Sequence, residues 1–195
     1  NLPIDNFLCA GAQALGAMAL RDSDATYAEY SLKAAKEDWK FAERDIQAGI
    51  SLGRDHAVSY VSIWSAAVWA AIDIYKASGD EFFKEAAKEC GKKVLACQQQ
   101  QKTDWEIPLN GFFYREPGSK IVSRGCHRSQ ENGPMMALSH LCQAFPDDPD
   151  WINWYYGIVL YSENQKKVFE YTAPYYMAPC SIYHEDEIDW DEETF

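Results

Sequence analysis

An all-α fold of repeated helical hairpins is predicted by three observations. Segments that are apolar almost all round alternate with segments that are apolar on one face only. Short acidic turns of one kind join the two: Asp22-Ser23-Asp24, Ser78-Gly79-Asp80 and Asp147-Asp148-Pro149-Asp150, each followed within three residues by a large aromatic. The whole theme runs three times along the chain. Recurrence of one supersecondary unit marks an array in which each hairpin buries its apolar side on its neighbours.

The segment from Ile4 to Leu20 carries Ala, Leu, Gly and Met nearly all round, which predicts a helix buried on most sides. After the first turn, Asp24 is a candidate N-cap for a helix to Ile46. Along it Tyr27, Leu32, Ala35, Trp39 and Ala42 form a stripe while Lys and Glu take the other face, as expected of an outer helix. A loop with Gly49, Gly53, Asp55 and His56 leads to the second copy of the pattern. Its inner segment runs from Val58 to Ala77 and includes Trp64 and Trp69, both read as core, and its amphipathic partner from Glu81 to Gln101.

The third copy consists of Pro134 to Phe145 and Trp151 to Thr172. Pro134 suits a first helical turn, where its missing N–H has no intrahelical partner. Residues 102–133 are a long rim loop that breaks the regular spacing. Its aromatic content argues against disorder, and loops of this length in compact domains commonly carry function. The 195 residues are predicted to form one helical-hairpin domain.

The formal net charge of −12 argues against nucleic acid or an anionic membrane as partner, because both reward clustered Lys and Arg. Aromatic residues make up 14%, with 7 Trp and 12 Tyr, more amphipathic ring surface than a plain core requires; sugar faces are one natural use for it. The six cysteines contain no Cys-x-x-Cys pair, so neither a zinc site nor any other metal is expected. Cys9, Cys90, Cys97 and Cys142 fall in helical apolar patterns and read as buried thiols, whereas Cys126 and Cys180 fall in loops and are compatible with either redox state. No run of 18 apolar residues exists. The acidic tail from His184 to Glu193 lacks the glycine and spacing of a calcium loop and reads as a solvated end.

In stacked hairpins the short turns lie at one end and the longer connections at the other. Asp55, His56, the 102–133 loop and the tail after Thr172 are therefore expected to share one rim. The densest polar cluster on that rim is His127, Arg128, Gln130, Glu131 and Asn132, just before Gly133-Pro134.

The scaffold phrases Asn6-Phe7-Leu8-Cys9-Ala10-Gly11-Ala12-Gln13-Ala14-Leu15, Asp24-Ala25-Thr26-Tyr27-Ala28 and Leu32 through Ala42 resemble the six-hairpin (α/α) toroid glycosidases, most closely the glycoside hydrolase family 9-like branch. The likeness continues from Trp64-Ser65-Ala66-Ala67 through Ile74 to Phe83. The resemblance implies a toroid built from helical hairpins, hydrolysis of glycosidic bonds in an oligo- or polysaccharide, no cofactor, and a periplasmic or extracellular location. Three hairpins are half of a six-hairpin ring. The chain is thus expected to be part of a larger toroid, the remainder coming from the same longer polypeptide or from a second copy, or else to form an open array. Neither the Asp-Ala-Gly-Asp-like segment that carries the family's base aspartates nor its late glutamate segment is identified in the sequence.

Within this frame Glu131 and Asp55 are the candidate catalytic carboxyls. A carboxyl beside His127 and Arg128 is open to tuning by charge and burial. The alternative readings are a first-turn glutamate favoured by the helix dipole for Glu131 and an N-cap for Asp55. His127, Arg128, Arg124, His56 and Glu116 are candidates to bond sugar hydroxyls, the arginines also a uronate carboxylate. Trp105, Tyr114 and Tyr176, with Tyr175, are candidate stacking platforms. His140 reads as a satisfied core histidine. Two rival readings are a uronate-polysaccharide lyase on a similar toroid and a non-catalytic module binding a glycan or a protein.

Overall fold

The computed structural model describes residues 2–49, 59–123, 132–177 and 182. Six α-helices occur among them: α1 (Pro3–Leu20), α2 (Ala25–Gln47), α3 (Tyr60–Ser78), α4 (Glu81–Ala96), α5 (Gly133–Ala144) and α6 (Trp151–Glu170). They form the three expected hairpins. α1, α3 and α5 make an inner row, with α3 packed between the other two, while α2, α4 and α6 cover α1, α3 and α5 in turn. The sequence patterns explain this layering. α3 has neighbours on both sides as well as an outer partner, and it is correspondingly apolar and buried around nearly all its circumference. α2 and α4 have charged solvent faces and a single buried stripe.

Small residues let the inner row approach closely, as where Gly11 lies against the backbone of Ala70. The turns repeat in detail as well as in composition. Asp24 accepts a hydrogen bond from the Tyr27 backbone N–H at 3.0 Å, and Asp80 accepts one from Phe82 at 3.2 Å. Gly79, with φ of +68°, ends α3 in the left-handed conformation that a glycine adopts without a Cβ clash. Lys36 of α2 reaches Asp80 in the second turn at 2.9 Å, and Lys88 of α4 reaches Asp148 in the third turn at 2.9 Å. α2 and α4 are thereby each tied to the following hairpin at its turn.

The core centres on Trp39, which is 1% exposed. Phe7 of α1 and Phe83 of α4 each meet its ring edge to face with centroids 5.5 Å away. Its Nε1–H donates to the Ala67 carbonyl of α3 at 3.1 Å.

Several expectations are corrected. α4 ends at Ala96 rather than Gln101, because Gln98 turns inward and its Nε2 donates to the Gly111 and Gly157 carbonyls at 2.9 and 2.8 Å. α5 begins one residue before Pro134, and α6 ends at Glu170 rather than Thr172. Trp64 and Trp69 are half-buried at the edge of the core cluster. His140 packs its ring against Trp69 with centroids 6.0 Å apart, and its Nδ1 meets no hydrogen-bond partner among the described residues.

Among the thiols, Cys90 and Cys97 are buried as expected, and burial pushes each up to about 12. Cys9 is exposed instead, because it shares with Leu8 and Leu15 the face of α1 turned away from the core, and Cys142 is half-buried. Thiolate is the reactive form. An alkylating reagent at pH 8 is expected to modify Cys9 rapidly while Cys90 and Cys97 stay unmodified until the chain unfolds. Peptide mapping of a timed labelling series checks this.

One buried carboxyl lies in the inner row. Asp73 of α3 is 9% exposed, and burial raises its carboxyl above the ordinary 3.8, an effect that the charges of Lys76 and His140 partly offset. The folded state therefore holds this proton more tightly than the unfolded chain does. The associated stability is complete below the unfolded value and is lost as pH rises through the raised folded value. Asp73→Asn, neutral throughout, is expected to raise the thermal midpoint at pH 7 by roughly 2–4 °C, with the gain vanishing towards pH 3. Melting curves across that range test the sign.

Candidate active site

α1, α3 and α5 start at the end of the array where α2, α4 and α6 finish, and the chain between α4 and α5 is built onto that end. From Cys97 to Ser123 it folds back on itself twice. Gln99 N–H donates to the Phe112 carbonyl at 2.9 Å and Tyr114 N–H to Cys97 at 2.8 Å, so the strand-like piece after α4 runs against residues 111–114. Arg115 N–H then donates to Ile121 at 3.0 Å and Ser123 N–H to Phe113 at 2.7 Å, which closes the second fold.

Gly111, at φ +90°, lies so close to the backbone of α6 at Leu160 that a Cβ there would overlap the Leu160 carbonyl. A small second core of Leu109, Phe112, Val122 and Val168 seals the insertion onto α6. The 102–133 loop is thus an ordered double fold over the described residues up to Ser123, anchored by its own apolar cluster.

The insertion also covers the start of α3. The Arg115 carbonyl accepts the Val61 N–H at 3.0 Å. Ser59 is the N-cap of that helix and is 4% exposed; its Oγ accepts the Ser62 N–H at 3.3 Å. The same Oγ lies 2.9 Å from Ser62 Oγ and 3.4 Å from Ser123 Oγ. At the start of α5, Asn132 Oδ1 accepts a hydrogen bond from Tyr161 OH of α6 at 3.1 Å, and Gly133 faces Ser65 of α3. The points where segments 50–58 and 124–131 join the described structure, Ser59 and Ser123, are therefore in contact.

Asp55, His56, Arg124, His127, Arg128 and Glu131 lie outside the described residues, as do Cys126 and Cys180. Their neighbours nevertheless bear on two of the alternative roles. Ser59 caps α3, four residues after Asp55, so Asp55 is not its N-cap. α5 begins at Gly133 with Asn132 at the N-cap position, so Glu131 precedes the helix and is no first-turn glutamate.

The described candidates divide. Trp105 is half-buried and stacks on Phe112 with centroids 5.2 Å apart and ring planes 23° apart, so one of its faces is occupied by packing. Tyr114 meets Phe112 edge to face at 5.2 Å and is likewise half-buried. Glu116 is exposed at the tip of the second fold, near enough to Cys97 for its charge to raise that thiol. Tyr175 and Tyr176 follow α6 at 80% and 65% exposure, with Tyr176 at φ +50°. No group of three or more His, Cys, Asp or Glu suited to a metal ion occurs among the described residues, and no described helix is long and apolar enough to cross a membrane.

Sequence reasoning missed Ser59, Ser123, Tyr161 and Gln98. Ser59 carried a usable signal, a serine immediately before an apolar run, but the helix start was read two residues too early, at Val58 rather than Tyr60. The other three make contacts far apart in sequence, which no local pattern encodes.

Paired helices in an inner and an outer row define an all-α scaffold of helical hairpins. The chain belongs to glycosyl hydrolase family 9, whose family model matches residues 7–173, from the first turns of α1 to beyond the end of α6. It is thus a member of a carbohydrate-hydrolysing family. No curated protein and no solved structure matches it.

Proposed function

We propose that the protein hydrolyses glycosidic bonds of an oligo- or polysaccharide, with Glu131 and Asp55 as the carboxyl pair. The observation that carries this reading is the family match over residues 7–173. The contact between Ser59 and Ser123 adds support, since it brings together the attachment points of the two loops that bear these carboxyls. In such a pair one carboxylic acid protonates the leaving oxygen. The other carboxylate activates water or attacks the anomeric carbon, at separations of roughly 6.5–9.5 Å or 5–5.5 Å respectively.

His127, Arg128, Arg124, His56 and Glu116 hydrogen-bond sugar hydroxyls in this scheme. Tyr176, Trp105 and Tyr114 offer ring surface to the pyranose faces. The polar cluster and the acidic charge balance suit a neutral polymer, with the arginines able to pair with an occasional uronate.

The remainder of the toroid, from the same longer chain or from a second copy, completes the scaffold in this reading. Exposed Leu8 and Leu15 on α1, and Met136, Ile152, Tyr155 and Tyr156 on α5 and α6, support it, because they leave both ends of the hairpin array apolar. A periplasmic or extracellular location fits a polymer too large to enter a cell.

The test is incubation of the protein with a panel of neutral and uronate-bearing oligo- and polysaccharides, read by reducing-end release. At least one substrate is expected to yield new reducing ends without an ultraviolet-absorbing unsaturated product. Silence across the panel would remove the hydrolase assignment for this chain.

A further inference from the structure

Three hydrogen-bonding groups gather between α3 and α5 without a partner among the described residues. Trp69 and Asp73 stand one turn apart on α3, which places them on the same face of that helix. The His140 ring of α5 lies 6.0 Å from the Trp69 ring with the planes 34° apart, and its charge bears on the Asp73 carboxyl, as does that of Lys76. Trp69 Nε1 and His140 Nδ1 are both closed off from solvent and unpartnered. Asp73 is 9% exposed and accepts no hydrogen bond from a described residue. The cluster is separate from the rim: at 1.5 Å per residue, Trp69 and Asp73 stand about 14 and 20 Å along α3 from its start at Tyr60.

Buried polar groups left without partners are costly, so three at one place call for a shared ligand. Their chemistry restricts what that ligand is. An indole N–H only donates, an ionised carboxylate only accepts, and an imidazole nitrogen does either. An anion would oppose Asp73, and a cation would meet the Trp69 N–H. A small neutral group that both accepts and donates satisfies all three.

We propose that one buried water bridges the two inner helices here, accepting from Trp69 Nε1–H and donating to the Asp73 carboxylate and to His140 Nδ1. Three bonds is the usual number for a buried water. The remaining buried surface of α5 is Pro134, Ala137, Leu138 and Leu141, apolar contacts that hold the helix without fixing its register. A directional bridge supplies that register. The inference does not depend on the hydrolase reading.

The test is water-to-protein cross-relaxation at the indole N–H groups of the nitrogen-15-labelled protein, with the Trp69 resonance assigned from its loss in Trp69→Phe. Wild type is expected to show a cross-peak between water and the Trp69 indole proton, with NOE and ROE of opposite sign, as a long-lived water gives and hydrogen exchange does not. Asp73→Asn, which keeps an acceptor oxygen, is expected to retain the cross-peak, while Asp73→Leu and His140→Phe are expected to lose it. The indole of Trp154, also buried and unpartnered, is the internal reference and should be unaltered by all three substitutions. Absence of the cross-peak in wild type would overturn the proposal whether or not the variants fold. Its persistence in either Asp73→Leu or His140→Phe would overturn the three-group bridge.

Discussion

Trp39→Ala is expected to cost about 3–5 kcal/mol of folding stability, the largest loss from any single truncation in the described core. The ring is almost fully buried and touches three helices besides its own. Phe7 holds it to α1, the Ala67 carbonyl to α3, and Phe83 to α4. Removing it opens a cavity where the first two hairpins meet, and the neighbouring aromatics are too constrained by helix packing to fill that space. Trp39→Phe separates the contributions: it keeps an aromatic edge near Phe7 and Phe83 but loses the hydrogen bond to Ala67, and should cost clearly less than the alanine variant. Chemical denaturation of the three proteins gives the comparison, and a Trp39→Ala protein within 1 kcal/mol of wild type, on the order of an ordinary surface change, would contradict this account of the core.

Glu131→Gln and Asp55→Asn are each expected to lower kcat by about 10²–10⁴ with little change in folding. The cap of α3 is Ser59 and the N-cap position of α5 is Asn132, so neither substitution removes a helix-capping group. The two losses should not add in the double variant, because acid and base act in one step on one bond. Far-ultraviolet circular dichroism checks that the helices persist, and single-turnover kinetics on the best substrate separates a chemical defect from weakened binding.

The helices and their layering were legible because each carries its own evidence. Segments apolar all round became α1, α3 and α5, and one-sided segments became α2 and α4, since burial on several sides or on one is what those patterns satisfy. The three turns were legible for the same reason: Asp24 and Asp80 cap locally, two or three residues away. What escaped depended on residues distant in sequence. α4 ends early because Gln98 bonds Gly111 and Gly157, the latter 59 positions away. Cys9 is exposed on the outward face of α1, which its apolar surroundings in the sequence do not reveal. In the candidate site, His127, Arg128, Gln130 and Glu131 of the polar cluster before Gly133 lie outside the described residues. The hydroxyls of Ser59, Ser123 and Tyr161 were invisible until α3, the insertion and α6 were seen side by side. Trp105 and Tyr114 show the opposite limit, since rim position suggested binding platforms and the structure sets much of their ring surface against Phe112.

The central claim is that a family 9 scaffold carries a working carboxyl pair in the loops at its rim. Its most direct measurement is the rate of reducing-end release by wild type set beside that of the Asp55→Asn, Glu131→Gln double variant, on the same substrate and at equal concentrations of folded protein. Steady release by wild type, with the double variant lower by about 10² or more, is the predicted result. Equal release by the two proteins would contradict it and move the chemistry to other carboxyls.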